Sequence, residues 1–179
     1  TITTGYYKKP EATAAAIDRD GWFHTGDAGY LKDSHLYLTE RIKDLFKTSN
    51  GKYISPQALE TKLAIDRYID QIAVIADERK FVSALIVPVY GFVKDYAKEK
   101  GIAYSNMDEL LQHPKIQALF RARIDTLQQQ FAHYEQVKRF TLLTEPFSME
   151  RGELTNTLKL KRSVVAKNYK GLIDKMYEE

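Results

Sequence analysis

Between residues 20 and 56, in "DGWFHTGDAGYLKDSHLYLTERIKDLFKTSNGKYISP", short apolar runs are broken by polar turns. Tyr30, Leu36, Tyr37 and Leu38 flank a polar "KDSH" segment, and aromatic and apolar residues suit strands, so a hairpin is predicted there. Such a hairpin holds Asp27 and Arg41 near its two open ends, on one side of the molecule. "DLFKTSNGKYIS" follows as two apolar stubs around Asn50-Gly51, a strong hairpin dipeptide. "IAVIADERKFVSALIVPV" reads as two β-rich runs joined by the charged turn Asp77 to Lys80, an antiparallel pair. Ile116, Phe120, Ile124, Leu127 and Phe131 fall at helical spacing after Pro114. "VKRFTLL" is a further strand. A loop from Thr144 to about Thr157 leads to a last helix with Val165, Leu172 and Met176 on its inner face.

Capping residues add detail. "KKPEATAAAID" is a short helix with Pro10 in its first turn, and Ser55-Pro56 caps and opens a helix through "QALETKLAI". "GFVKDYAKEKG" is a helix closed by Gly101. No repeat or low-complexity tract is visible. The mixed order after residue 41 suits a small α+β domain, with an antiparallel-containing sheet flanked by helices, better than a doubly wound sheet. Residues 1–41 carry little core of their own and read as part of something else. The expected cut is therefore 1–41 and 42–179, near Arg41 to Asp44.

With 179 residues, 44% of them hydrophobic, the chain can bury one full core. Its 27 basic and 24 acidic residues leave +3, too little to argue for nucleic acid. Between Lys159 and Lys175, six Lys or Arg meet a single acid, Asp174, which reads as a solvated helix face or as a basic binding module. The absence of cysteine excludes disulfides and thiolate metal sites and suits a cytoplasmic protein. No run reaches the ~18 apolar residues of a membrane span. The first residues, starting at Thr1 without Met, read like the middle of a protein, so a fragment is expected.

The candidate chemistry is sparse. An aspartate after Thr-Gly at a strand entry can point two oxygens at a vicinal diol, as carboxylates hold a ribose; it can equally cap a turn. Arg41 could donate to the same sugar or its phosphate, or form a surface salt bridge. In "ERGELTNTLKLKR", Thr155, Thr157, Lys159, Lys161 and Arg162 alternate with Leu154, Leu158 and Leu160. That period-two pattern presents hydroxyls and cations on one side of an extended loop. A lysine there could bring charge to a phosphoryl group; otherwise the segment is an amphipathic stub. His24, His35, His113 and His133 lack ligand-like spacing. Neither a G-x-S-x-G elbow, a G-x-G-x-x-G run nor a Walker A loop occurs. The residues alone describe a ribose-and-phosphate reader.

Taken together, the motifs resemble the adenylate-forming superfamily and, within it, the long-chain fatty acid–CoA ligases. "GWFHTGD" (21–27) resembles that family's ribose-binding segment and "GYYKKPEATAAA" its approach. "RIKDLFKTSNGKYISPQALE" (41–60) resembles its hinge and glycine loop, and "ELTNTLKLKR" (153–162) its carboxy-terminal lysine motif. The resemblance implies the small mobile carboxy-terminal domain, preceded by a hairpin segment of the large domain. It implies a two-step reaction, in which Mg-ATP and a fatty acid give acyl-AMP and CoA then displaces AMP. By the same resemblance Asp27 holds the AMP ribose with Arg41 assisting, and Lys43 is the hinge residue. Lys159 reaches the carboxylate and α-phosphate, with Lys161 a second candidate, and Asn50-Gly51 lines the pantetheine path.

Many family members have a proline where this chain has Glu153 and a glycine where it has Leu158. The family's phosphate loop, adenine pocket and acyl tunnel lie upstream of these motifs, so the fragment is expected to be inactive alone. ATP, Mg²⁺, CoA and fatty acid are the implied cofactors and partners, with no nucleic acid and room for weak peripheral membrane contact. Alternatives are an acyl-AMP ligase loading an acyl carrier protein, a luciferase-like or aryl-acid member, and a non-enzymatic basic binding module.

Overall fold

The computed structural model describes residues 3–178. The chain divides into two compact units, Thr1–Asp44 and Leu45–Glu179.

In the first unit, helix α1 (Pro10–Ala16) begins at its proline, whose missing N–H costs nothing in the first turn. Strands β1 (Asp27–Lys32) and β2 (His35–Arg41) form the hairpin that the apolar pattern predicts. Lys32 pairs with His35, leaving Asp33 and Ser34 as a two-residue turn with φ of 50° and 60°. Two left-handed residues give the turn a twist that matches the strands. The register slips between Ala28 and Gly29, and the extra residue opposite, Thr39, donates its hydroxyl to the Ala28 carbonyl at 3.1 Å. Gly29 suits this close approach, because a Cβ there would lie 2.5 Å from the Tyr37 carbonyl oxygen. Tyr30 stacks on Tyr37 with centroids 5.1 Å apart. None of this unit's described residues is buried. A single 3₁₀ turn, Ile42–Asp44, ends it.

The second unit opens with the stubs β3 (Phe46–Lys47) and β4 (Tyr53–Ile54), an antiparallel pair. Ser55 caps α2 (Pro56–Leu63), its hydroxyl accepting from the Ala58 amide at 3.2 Å. A three-stranded sheet follows, in the order β5 (Ile69–Ile75), β6 (Val82–Pro88), β7 (Val137–Leu142). β6 runs antiparallel to β5 and parallel to β7. A parallel step needs a long crossover, supplied here by α3 (Tyr90–Glu99), α4 (Met107–Gln112) and α5 (Pro114–Leu127). The chain ends in α6 (Arg162–Asn168) and α7 (Lys170–Tyr177).

All seven residues of β6 are buried, as expected for a strand covered on both faces. Ala84 and Ile86 face one core with Leu59, Leu63, Val93, Ile116, Phe120 and Ile124. Leu85 and Val87 face a second core with Phe147, Val165, Ile173 and Met176. The result is an α+β domain whose helices lie on both faces of one mixed sheet.

Three expectations need correction. The last helix is two helices broken at Tyr169 (φ −104°, ψ 18°), and the break shifts the inward face by one residue. Ile173 is therefore buried and Leu172 is 37% exposed, although Leu172 would share the face of Val165 in an unbroken helix. The helix after Pro114 ends at Leu127, and Phe131 packs on the core from the following turn. The third correction concerns the Lys159 segment. Among the described residues no helix is long and apolar enough to cross a membrane.

Candidate functional site

Asp27 and Arg41 face each other across the first residue pair of the β1–β2 hairpin. Gly26, at φ 73°, turns the chain into β1, and its carbonyl accepts the Ile42 amide at 2.8 Å, closing the hairpin's open end. The Thr25 hydroxyl accepts the Asp27 amide at 3.1 Å. Arg41 Nε lies 3.2 Å from Asp27 Oδ1, with the arginine side chain more than half exposed. An ion pair this open contributes less than about 1 kcal/mol, so a ligand with stronger donors can share or replace it. The pair thus matches the salt-bridge reading as built, with both side chains still partly open to solvent.

Lys43 sits exposed in the 3₁₀ turn Ile42–Asp44, immediately before the division between the units.

Asn50 and Gly51 close the β3–β4 hairpin through a three-residue loop. The Gly51 amide donates to the Thr48 carbonyl at 2.8 Å, and Gly51 takes the left-handed conformation at φ 74°. Asn50 keeps a negative φ, so the loop is a turn with a glycine bulge rather than the two-residue form that Asn-Gly suggests. The Thr48 hydroxyl accepts the Lys52 amide at 3.1 Å. Two backbone bonds join the loop and its stub to the β5–β6 turn, Ser49 N to Arg79 O at 3.1 Å and Glu78 N to Lys47 O at 2.9 Å.

Lys159 lies on a second turn of the same construction. The period-two pattern predicts an extended loop, and the structure instead folds the segment back on itself. Leu154 bridges Leu160, the Thr155 amide donates to the Lys159 carbonyl at 2.8 Å, and the Leu158 amide donates to the Thr155 carbonyl at 2.9 Å. The Thr155 hydroxyl accepts the Lys159 amide at 3.0 Å and lies 3.0 Å from the Thr157 hydroxyl. These hydroxyls are spent locally, which is why they do not line one side of an extended strand. Leu158 occupies the left-handed position at φ 59°. Lys159 is exposed at the turn, and among the described residues its ammonium group has no ion-pair partner. Lys161 is also exposed and lies on the outgoing leg, its amide donating to the Glu153 carbonyl at 2.8 Å.

Sequence reasoning missed the groups under this turn. Glu153 is fully buried and accepts from the Ser148 amide at 3.0 Å, Arg151 Nε at 3.1 Å and Asn168 Nδ2 at 3.1 Å. Burial alone would push its carboxyl up. The bonds from Arg151, Asn168 and Ser148 outweigh that and hold it below the usual 4.5. Arg151 also reaches Glu145 at 3.1 Å and the Pro146 carbonyl. On the outgoing leg, Arg162 forms a bidentate pair with Glu60 of α2, at 2.5 and 2.6 Å. The available signal was a glutamate at the end of the 41–60 motif and an arginine at the end of the 153–162 motif. Their spacing in sequence gives no hint that they meet.

Comparison with known proteins gives a consistent picture. A family model for the AMP-binding enzyme C-terminal domain matches residues 43–179. The chain is 36% identical to long chain acyl-CoA synthetase 7, peroxisomal, of Arabidopsis thaliana, over 99% of this chain and 26% of that protein. It is also 36% identical to long-chain-fatty-acid–CoA ligase 5 of Rattus norvegicus, with the same coverage, 99% and 26%. Among solved structures, the adenylation domain of a carboxylate reductase from Mycobacterium chelonae matches with a TM-score of 0.75. Identity there is 28%, covering 98% of this chain and 26% of that one. The chain thus spans about a quarter of the length of the curated relatives it matches.

Proposed function

Because the chain belongs to the AMP-binding enzyme C-terminal domain family, we propose that it is the moving part of a long-chain fatty acid–CoA ligase, called the parent below. In the first step a fatty acid carboxylate oxygen attacks the α-phosphorus of Mg-ATP, and the bond to pyrophosphate breaks. In the second, the CoA thiolate attacks the acyl carbon and AMP leaves. Asp27 accepts hydrogen bonds from the ribose hydroxyls, with Arg41 beside it. Lys159 carries its charge to the carboxylate and α-phosphate, where negative charge gathers during adenylation. The Asn50-Gly51 turn offers a bare backbone edge to the pantetheine arm.

The observation that carries this reading is the turn at Lys159, whose closing residue is an exposed lysine with no ion-pair partner among the described residues, on a firmly anchored hairpin. The 3₁₀ turn that ends the first unit supports a hinge at Lys43, since each half-reaction takes a different face of the small domain. Among the described residues no group of three or more His, Cys, Asp or Glu could hold a metal, so Mg²⁺ enters this reading with ATP. A cytoplasmic parent meeting its lipid substrate at a membrane surface suits the exposed Lys161, Lys167, Lys170 and Lys175.

A second reading has the parent hand its adenylate to a carrier protein instead of CoA. Incubating the parent with ATP, Mg²⁺, a long-chain fatty acid and CoA, and resolving acyl-AMP from acyl-CoA, separates the two. Accumulation of acyl-CoA supports the ligase, and acyl-AMP alone supports the carrier. Lys43→Pro, which fixes φ at the hinge, should spare one half-reaction and arrest the other. Normal rates in both would place the hinge elsewhere.

A further inference from the structure

The Glu60 carboxylate ties together three elements that are distant in sequence. Its Oε1 accepts the Val74 amide of β5 at 2.8 Å, and both oxygens take the guanidinium of Arg162, the first residue of α6. The Arg162 guanidinium also lies over the Phe46 ring of β3, 5.5 Å from its centroid. Phe46 is two residues beyond the division between the units, and Arg162 is three residues beyond Lys159. The pair is mostly shielded, with Glu60 13% and Arg162 30% exposed, and its fork-to-fork geometry fixes direction as well as distance.

We propose that Glu60 and Arg162 are positioning residues for Lys159. They clamp the outgoing leg of its turn to α2, β5 and the first strand after the hinge. When the domain swings, Phe46, Arg162 and the Lys159 turn then move as one body, and the ammonium group arrives at a set place. Neither residue touches substrate in this account. Both act through the lysine, because a small displacement of a charge-stabilising group lowers rate far more than binding. The proposal rests on the adenylation role given to Lys159 above.

The test uses the full-length parent carrying Glu60→Gln or Arg162→Lys, each alone and combined with Lys159→Ala. Arg162→Lys keeps the charge and loses the fork, so it carries the test if Glu60→Gln fails to fold. Adenylation is read as acyl-AMP formation without CoA, and transfer is read from supplied acyl-AMP. Each single variant should lower kcat for adenylation roughly 10- to 100-fold, with KM for ATP and fatty acid little changed and transfer near normal. In the Lys159→Ala background the same substitutions should cost nothing more, since the group they aim is gone. Normal adenylation in the single variants, equal loss of both steps, or the same loss in both backgrounds would overturn the positioning role and leave the lysine assignment standing. Should Lys159→Ala alone leave adenylation intact, the lysine assignment falls, and the positioning role falls with it.

Discussion

The turn from Thr48 to Lys52 and the turn from Thr155 to Lys159 are built alike. In each, a threonine hydroxyl accepts the lysine amide four residues on, a 1→4 backbone bond closes the loop, and the fourth residue is left-handed. They differ in that fourth residue, Gly51 in one and Leu158 in the other. A side chain with φ near +60° costs about 1–2 kcal/mol that glycine avoids, so the Lys159 turn holds strain that the glycine turn lacks. Their foundations differ too. The glycine turn is held by backbone bonds to the β5–β6 turn. Under the lysine turn lie a buried carboxylate on the incoming leg and a bidentate ion pair on the outgoing one. On the proposed roles, the turn that offers backbone to a ligand is tied down by backbone bonds alone, and the turn that aims a long flexible side chain has its base fixed by charged side chains.

The comparison can be broken in several places. Removing the aimed group gives the largest effect. Lys159→Ala in the parent should slow adenylation about 100- to 1,000-fold, the magnitude of losing one transition-state donor, while Lys52→Ala at the matching position of the other turn should have little effect. Rates of acyl-AMP formation check both.

Loosening the foundation comes next. Glu153→Gln should cost about 2–3 kcal/mol near neutral pH, because it weakens charged hydrogen bonds in a buried site. The folded carboxyl titrates below the unfolded 4.5, so its contribution is present above that value and lost as pH falls through the folded one. Urea midpoints of wild type and variant should therefore differ most at neutral pH and converge below about pH 4.5.

Exchanging the left-handed residues probes the turns themselves. Gly51→Leu should destabilise by about 1–2 kcal/mol. A Cβ there meets open space, so the cost is conformational rather than steric. Leu158→Gly should give the smallest change, a gain of up to about 1 kcal/mol, offset in part by the added freedom of glycine in the unfolded chain. Thermal melts of the two variants should shift in opposite directions.

Much of this architecture was legible in short-range patterns. The β1–β2 hairpin, the Ser55 cap, the antiparallel β5–β6 pair and the Pro114 helix all follow from local spacing and turn chemistry, and Asp27 and Arg41 meet where the hairpin implies. α4 was missed although Asn106 and Glu109 form a capping pair, the Asn106 side chain accepting the Glu109 amide at 2.9 Å. The break at Tyr169 has no strong sequence mark, and without it the periodicity selects Leu172 over Ile173. The alternation in 154–162 imitates a strand because leucines and polar residues also alternate through a tight hairpin. What supports the site, Glu153 with Asn168 and Glu60 with Arg162, joins residues 15 and 102 positions apart. No local pattern encodes a long-range ion pair.

The most direct measurement follows both half-reactions of the parent in Lys159→Ala and Gly51→Leu side by side. If the two turns serve different steps, Lys159→Ala loses adenylation and keeps transfer from supplied acyl-AMP, while Gly51→Leu keeps adenylation and loses transfer. Loss of the same step in both variants would contradict the division of labour between the turns.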